Sequence, residues 1–484
     1  MKQPFSTNLS ANISMLQNTF APSSDFYVRR IRIQNVNGAI LMFEGITSLN
    51  VLWDIFLDAL SRSTPFQDTS CNNYTGEQLL NILLTHSDLP TENQPTEDLQ
   101  TAIDKLTAGM ALLFIDGCDK ALAISVQNMQ FRSVSEPIAE GNLRGSREGF
   151  CDLLRVNISL IRRLIRTSQL VIETSLSDSE MRTEYALCYH REKVDPTMLA
   201  KLKHILTNAK PELLLDSSYY APWICPVKYR LFTPLGYTQR PAVAAAKICE
   251  GKIILLVNGS PSVMIVPYLF AENFDCLDDY GGTAYFASFI RMLKYFAFYL
   301  TILLPGLFAA CSLYAPELIP PALLYKIAAA EKATPLPLFA EMLLVIILLE
   351  VIREAGLRMP QSLGHSVSLV AALIVGDTAI STGILSTSCI IVASITSIAM
   401  FLVPSLYEPA TMLRILFLIA GGLTGPVGIA FGLVALICAM ADTRVFDVNY
   451  TSQILPLSSN AFRDGLLRQN YRRLSRPKHN KRGE

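Results

Sequence analysis

Very little in these 484 residues is equipped for catalysis. The chain holds no GxSxG, HExxH or P-loop lysine motif, and its five histidines, His86, His190, His204, His365 and His479, do not cluster. That excludes nucleophile-elbow hydrolases, zinc proteases and P-loop nucleotide enzymes, and a membrane enzyme would have to rest on Glu350 and Glu354 alone. Ten cysteines stand singly, with no CxxC and no adjacent histidine pair, so neither a zinc site nor a disulfide frame is indicated and no cofactor is expected. Charged residues are only 17% of the chain and sum to a formal net charge of zero, leaving no electrostatic footprint for nucleic acid. The opening stretch MKQPFSTNLSANISMLQNTF lacks the apolar core and small-residue cleavage site of a secretory signal, so the N-terminal region is expected in the cytoplasm.

What is abundant is apolar side chain: 51% of residues are hydrophobic and mean hydropathy is +0.33. The distribution is uneven, with charge crowded before about residue 295 and after residue 441. The expected class is an α/β soluble N-terminal region followed by an all-α multi-span membrane domain. Its parts are a cytoplasmic α/β subdomain over 1–130, a second over 131–290, a transmembrane helical domain over 291–440 and a basic cytoplasmic tail over 441–484.

The two soluble subdomains read as one unit written twice, offset by about 142 residues. In the first, a helical stretch ends at Gly109 and leads into MALLFI, the turn Asp116-Gly117 and the strand ALAISV. In the second, a helical stretch from Ala242 ends at Gly251 and leads into KIILLV, the turn Asn258-Gly259 and SVMIVP. A glycine just past a helix supplies the left-handed position, and Asp-Gly or Asn-Gly between apolar runs is a strong hairpin signal. Earlier in each half a strand (VRRIRI; LVIETS) precedes a turn, a further strand (AILMF; EYALCYH) and a helix near residues 51–60 or 196–205. Between the halves, Gly141, Gly145 and Gly149 match neither dinucleotide nor P-loop spacing. From Phe150 onward, Leu153, Val156, Leu160 and Leu164 alternate with arginines, the pattern of an amphipathic helix with a solvated basic face.

Apolar segments follow at about 296–314, 336–351, 367–385, 389–403 and 415–440. Spanning about 30 Å of hydrocarbon takes roughly 20 helical residues. The tail holds nine Lys/Arg against four acids, which places it in the cytoplasm with the N-terminus and makes the number of spans even. Four spans are expected, with 336–360 as an interfacial or re-entrant helix because it carries Glu341, Glu350, Arg353, Glu354 and Arg358. Glu350 with Arg353, and Glu354 with Arg358, are spaced to meet on one helix face as structural ion pairs or gating contacts. Asp377 is the one acid in SVSLVAALIVGDTAISTGIL, and with Ser368, Thr378 and Ser381 it is the candidate pore or intramembrane polar set.

These motifs resemble the A subunit of the GerA-type spore germinant receptors. The resemblance is carried by Glu136-Pro137, Arg144-Gly145, Arg147-Glu148-Gly149-Phe150, Asn157, Arg162-Arg163, Arg240-Pro241 and Asn258-Gly259-Ser260-Pro261. In the apolar part it is carried by Pro335, Pro337, Glu341, the block EVIREAGLRMP, Gly364, Gly376, Pro404 and Arg414. The chain departs from the family pattern at Gln239 and Ala242, at Asp377 where the family has glutamine, and near Arg414, where a second arginine is replaced by apolar residues. The resemblance implies a membrane subunit that oligomerises as a nutrient-gated ion channel in the spore inner membrane, working with a transporter-like B subunit and a lipoprotein C subunit. It implies subdomain or partner contacts through Arg144, Arg147, Glu148, Asn157, Arg162, Arg240 and Pro241. The rival reading is an oligomeric secondary transporter or permease subunit, although single-chain transporters of known design usually have ten or more spans.

Overall fold

The computed structural model describes residues 4–33, 36–47, 75–85, 93–125, 137, 140–141, 145–226, 231–358, 378–452, 454 and 465–469. The helix expected near 51–60 lies outside them. The chain divides into two compact units, Met1–Lys228 with Leu235–Tyr268, and Tyr229–Pro234 with Leu269–Glu484.

The first unit contains two antiparallel five-stranded sheets. One is built from β1 (Phe26–Ile33), β2 (Val36–Phe43), β3 (Asn93–Thr96), β4 (Ala111–Ile115) and β5 (Ala121–Ile124), in the order β1-β2-β4-β5-β3. The other is built from β6 (Leu170–Leu176), β7 (Glu184–His190), β8 (Gly236–Thr238), β9 (Ile253–Val257) and β10 (Val263–Val266), in the order β6-β7-β9-β10-β8. The two topologies are identical. Strand β4 and the stretch 39–43 of β2 read as unbroken apolar runs because both faces are covered. Ala39, Leu41, Leu112 and Phe114 join one core with helices Leu9–Phe20 and Leu99–Thr107, while Ile40, Met42, Leu113 and Ile115 join another with helix Gly76–Thr85. The edge strands β3 and β8 carry no apolar alternation, and Pro95 is tolerated because an edge strand need not donate on both sides.

The duplication extends to individual hydrogen bonds. Asn12 Oδ1 accepts the Ser6 N–H at 3.0 Å and its Nδ2 donates to the Ser6 carbonyl at 2.6 Å. Asn157 does the same for Cys151, at 2.8 and 2.6 Å. In each half the hairpin turn reaches the start of a helix: Leu9 N–H donates to Asp116 Oδ1 at 3.3 Å and Leu154 N–H to Asn258 Oδ1 at 3.1 Å. The turn acid or amide therefore supplies an acceptor to orphan helix donors, while Gly117 and Gly259 take φ of 85° and 94°.

Asp216 joins two loops of the second sheet. Burial pushes its carboxyl up, but hydrogen bonds from Ser218 Oγ at 2.6 Å, Ser260 Oγ at 2.5 Å and the Ser218 and Ser217 backbone outweigh that, and its pKa lies below the ordinary aspartate value.

In the second unit the principal helices are Ala284–Tyr314, Pro321–Lys332, Leu338–Arg358, Thr387–Met400 and Tyr407–Asp442. Among the described residues, two helices are long and apolar enough to cross a membrane, Ala284–Tyr314 and Pro404–Asp442. Helix Thr387–Met400 has 14 residues, which at 1.5 Å per residue is about 21 Å, short of the hydrocarbon thickness. Most of the expected third span, 367–385, lies outside the described residues. The four-span expectation therefore rests on the sequence for its other two members.

The two long helices pack through glycine. A Cβ at Gly421 would stand 2.3 Å from the Gly306 carbonyl oxygen, and one at Gly306 would stand 2.5 Å from that of Phe417. Backbone meets backbone here, as in small-residue membrane interfaces. Four residues beyond Gly421 the helix breaks at Gly425, with φ 68°, followed by Pro426. Proline has no N–H for the Gly422 carbonyl, and the Tyr314 hydroxyl takes over, lying 3.1 Å from that oxygen and 2.9 Å from the Leu423 oxygen.

Two outcomes follow from this packing. Gly421→Ala should lower the thermal midpoint of the detergent-solubilised chain by several degrees, since no side chain is present to yield, whereas Gly356→Ala, which meets nothing within 4 Å, should leave it unchanged or raise it. Because the Asp216 pKa is depressed in the fold, its contribution to stability is complete above the unfolded value of about 3.9 and is lost as pH falls through the folded value. Asp216→Asn should flatten that acid limb in thermal unfolding measured from pH 5 downwards.

Candidate functional site

The residues singled out in the soluble half are junctions. Arg162, on helix Leu154–Leu164, is fully buried and holds Asp25 bidentately, Nε to Oδ2 at 2.9 Å and Nη2 to Oδ1 at 2.7 Å. Its remaining donors reach the Leu170 carbonyl and Ser23 Oγ, both at 3.0 Å, and the guanidinium lies 4.5 Å from the Phe43 ring centroid. The two sheets are thus tied across 137 residues of sequence. This corrects the expected helix polarity in part: Leu160 is buried and Val156 packs against the core as expected, but the ends of the expected apolar face and the arginines do not follow it. Leu153 and Leu164 are exposed, while Leu154, Asn157, Ile158, Ile161 and Arg162 face inward, because Arg162 brings its own counter-ion and need not reach water.

Arg240, 1% exposed, precedes helix Pro241–Cys249, where Pro241 occupies the first turn and costs no hydrogen bond. Its guanidinium donates to the Glu140 carbonyl and, at 2.8 Å, to that of Ser146, while the Glu140 carboxylate accepts from Thr238 Oγ1 and the Gln239 N–H. Glu148 pairs with Arg163, and Arg147 is exposed on the segment that Arg240 holds. Arg144 lies outside the described residues.

In the second unit Glu350 is a hub. It meets Arg353 one turn along at 3.2 Å, as its spacing suggests, and it also bonds Arg414 and Tyr407 from helix Tyr407–Asp442. The Arg353 guanidinium lies 3.5 Å from the Tyr407 ring centroid. Glu354 and Arg358 pair at 2.7 Å. The cluster lines a groove of about 680 Å³, whose other walls include Leu231, Ile347, Val351, Met412 and Ile415. The partnership of Glu350 with Arg414 and Tyr407 escapes a reading of local spacing. The available signal is a lone arginine in the apolar run LRILFLIA, which needs an acid from elsewhere.

Glu341 is also fully buried, and one carboxylate oxygen accepts the N–H of Ser386, the residue capping helix Thr387–Met400. Ser381 Oγ donates to the Thr378 carbonyl at 3.1 Å. Asp377 and Ser368 lie outside the described residues. Among the described residues no three of His, Cys, Asp and Glu converge as a metal site. The arrangement positions charge between helices.

The family model for Bacillus/Clostridium GerA spore germination proteins matches residues 14–479. Spore germination protein KA of Bacillus subtilis (strain 168) is 31% identical over 468 residues, covering 96% of this chain and 85% of that protein. The uncharacterized membrane protein YfkQ of the same organism is 31% identical over 473 residues, covering 96% and 90%. Spore germination protein GerLA of Bacillus cereus is 28% identical, covering 76% and 75%. The crystal structure of the N-terminal domain of the A subunit of the Bacillus megaterium spore germinant receptor GerK3 aligns at 22% identity and TM-score 0.44, over 56% of this chain and 98% of that one.

Removing one side of a buried pair should reveal how each junction is loaded. Arg162→Ala strands Asp25, 5% exposed, and should destabilise the chain by about 3–5 kcal/mol. Arg414→Ala should cost less, about 1–3 kcal/mol, because the Glu350 side chain is 23% exposed and keeps Arg353. Denaturant midpoints of each variant beside Asp25→Ala/Arg162→Ala would separate the pairing energy from the cost of the stranded charge.

Proposed function

The chain belongs to the GerA family of spore germination proteins, and from that premise we propose that it is the A-type membrane subunit of a nutrient germinant receptor. In this reading it sits in the inner membrane of the dormant spore with both ends in the cytoplasm. It assembles with copies of itself, a transporter-like B subunit and a lipoprotein C subunit, and opens an ion pathway when germinant is present. Family membership supports the role in germination, and the two long apolar helices support the membrane.

The observation that carries the gating step is the Glu350 hub. A carboxylate shared by Arg353 on its own helix and by Arg414 and Tyr407 on another has two ways of being satisfied, one within the helix and one between helices. Such a pair of arrangements is what a small input can bias. Loss of the Arg414 contact would leave Glu350 still paired with Arg353, so the helices can shift without stranding an acid.

The pathway itself is assigned to the polar residues Asp377, Ser368, Thr378 and Ser381. A ring of carboxylates from several copies attracts cations, and asparagine removes the charge at nearly constant volume. Reconstituted Asp377→Asn complexes should assemble as the parent does and show a reduced cation-to-anion permeability ratio in liposome flux. An unchanged ratio in a fully assembled complex would remove Asp377 from the pathway.

A further inference from the structure

Two arginines of the second unit are buried at a place that the gating step does not use. Arg291, on Ala284–Tyr314, is fully buried; Nη2 lies 3.0 Å from Asp275 Oδ1 and 3.3 Å from Asp279 Oδ2. Its Nη1 donates to the Gly465 carbonyl at 3.4 Å, and the Tyr295 hydroxyl donates to the same oxygen at 3.4 Å. Arg468 is 4% exposed, and its two terminal nitrogens donate at 3.1 Å to the carbonyls of Gly282 and Tyr280, with the guanidinium 5.2 Å from the Tyr280 ring centroid. The backbone of Arg468 is held as well. Its N–H donates to Ser288 Oγ at 3.0 Å, and that hydroxyl lies 3.1 Å from the Arg468 carbonyl oxygen.

A second part of the C-terminal region holds the residues just before this peptide, Phe270 and Asn273. The hairpin of Arg444–Val445 and Val448–Asn449 delivers Tyr450 against Phe232 and Phe270. The Phe270 N–H donates to the Tyr450 carbonyl at 2.9 Å, and Asn273 Nδ2 donates to the Tyr450 hydroxyl at 3.3 Å.

We propose that residues 465–469 are a strap that closes a collar around residues 275–288 at the foot of helix Ala284–Tyr314, and that its closing and release set whether this foot is held or free to move. Burying a guanidinium is costly unless its donors find acceptors, and here two backbone carbonyls take its two terminal nitrogens. Lysine offers a compact ammonium on a flexible stem, without the preset spacing of the fork. The strap therefore works by shape.

The strap can be read without any ion flux, so the proposal stands or falls separately from the channel assignment. In a cysteine-free full-length chain in membranes, Gln469→Cys should react with maleimide at least tenfold more slowly than in the same chain unfolded by denaturant. Adding Arg468→Ala, Arg468→Lys or Ser288→Ala should remove that protection, and stopping the chain after residue 470 should keep it. Equal rates for folded and unfolded chains in the otherwise unaltered background would overturn the strap. So would full protection in the Arg468→Lys chain, since charge alone would then suffice.

Discussion

Arg162 brings its guanidinium into a fully buried place, and Asp25, Ser23 and the Leu170 carbonyl accept four hydrogen bonds from it. The same physical demand recurs wherever distant parts of this chain meet. Arg240 is answered by the carbonyls of Glu140 and Ser146, Arg291 by Asp275 and Asp279, Arg414 by Glu350, and Arg468 by Tyr280 and Gly282. Burying a guanidinium is costly unless most of its donors find acceptors, so each of these contacts is stringent about geometry in a way that apolar packing is not. Sheets and helices supply most of the buried area; the arginines decide how those pieces are joined.

The Glu350 hub differs from the Arg162 and Arg240 junctions in one respect. Arg162 and Arg240 are each satisfied in a single way, whereas Glu350 is partly solvated and has a reserve partner on its own helix. Over-determined junctions suit a scaffold. An under-determined one suits an element that changes state, and this contrast is the physical ground for placing movement in the second unit.

Much of the soluble fold can be read from local chemistry. Asp116-Gly117, Asn258-Gly259 and the glycines at 109 and 251 mark turns whose backbone only glycine adopts cheaply, with φ between 85° and 95° at all four glycines. The repeated topology follows from them. The inward face of Leu154–Leu164 is harder, because a helical pattern counts Arg162 as solvent-facing until Asp25 is known to lie beside it, and nothing local announces a partner 137 residues away. The same limit hides Tyr407 and Arg414 from Glu350. The edge strands β3 and β8 are short and polar, and their pairing is decided by the neighbouring strand rather than by their own sequence.

The position of the strap has a consequence for the order in which the molecule is made. Sheet one has all five strands by residue 124 and can close while most of the chain is still unsynthesised. Gly465 and Arg468 complete hydrogen bonds to groups made some 170 to 190 residues earlier. A nascent or prematurely terminated chain can therefore build nearly every element and still leave the Ser288 hydroxyl and the carbonyls of Tyr280 and Gly282 without these partners. The collar is in effect a proofreading mark: it closes only on a polypeptide that has been translated as far as Arg468.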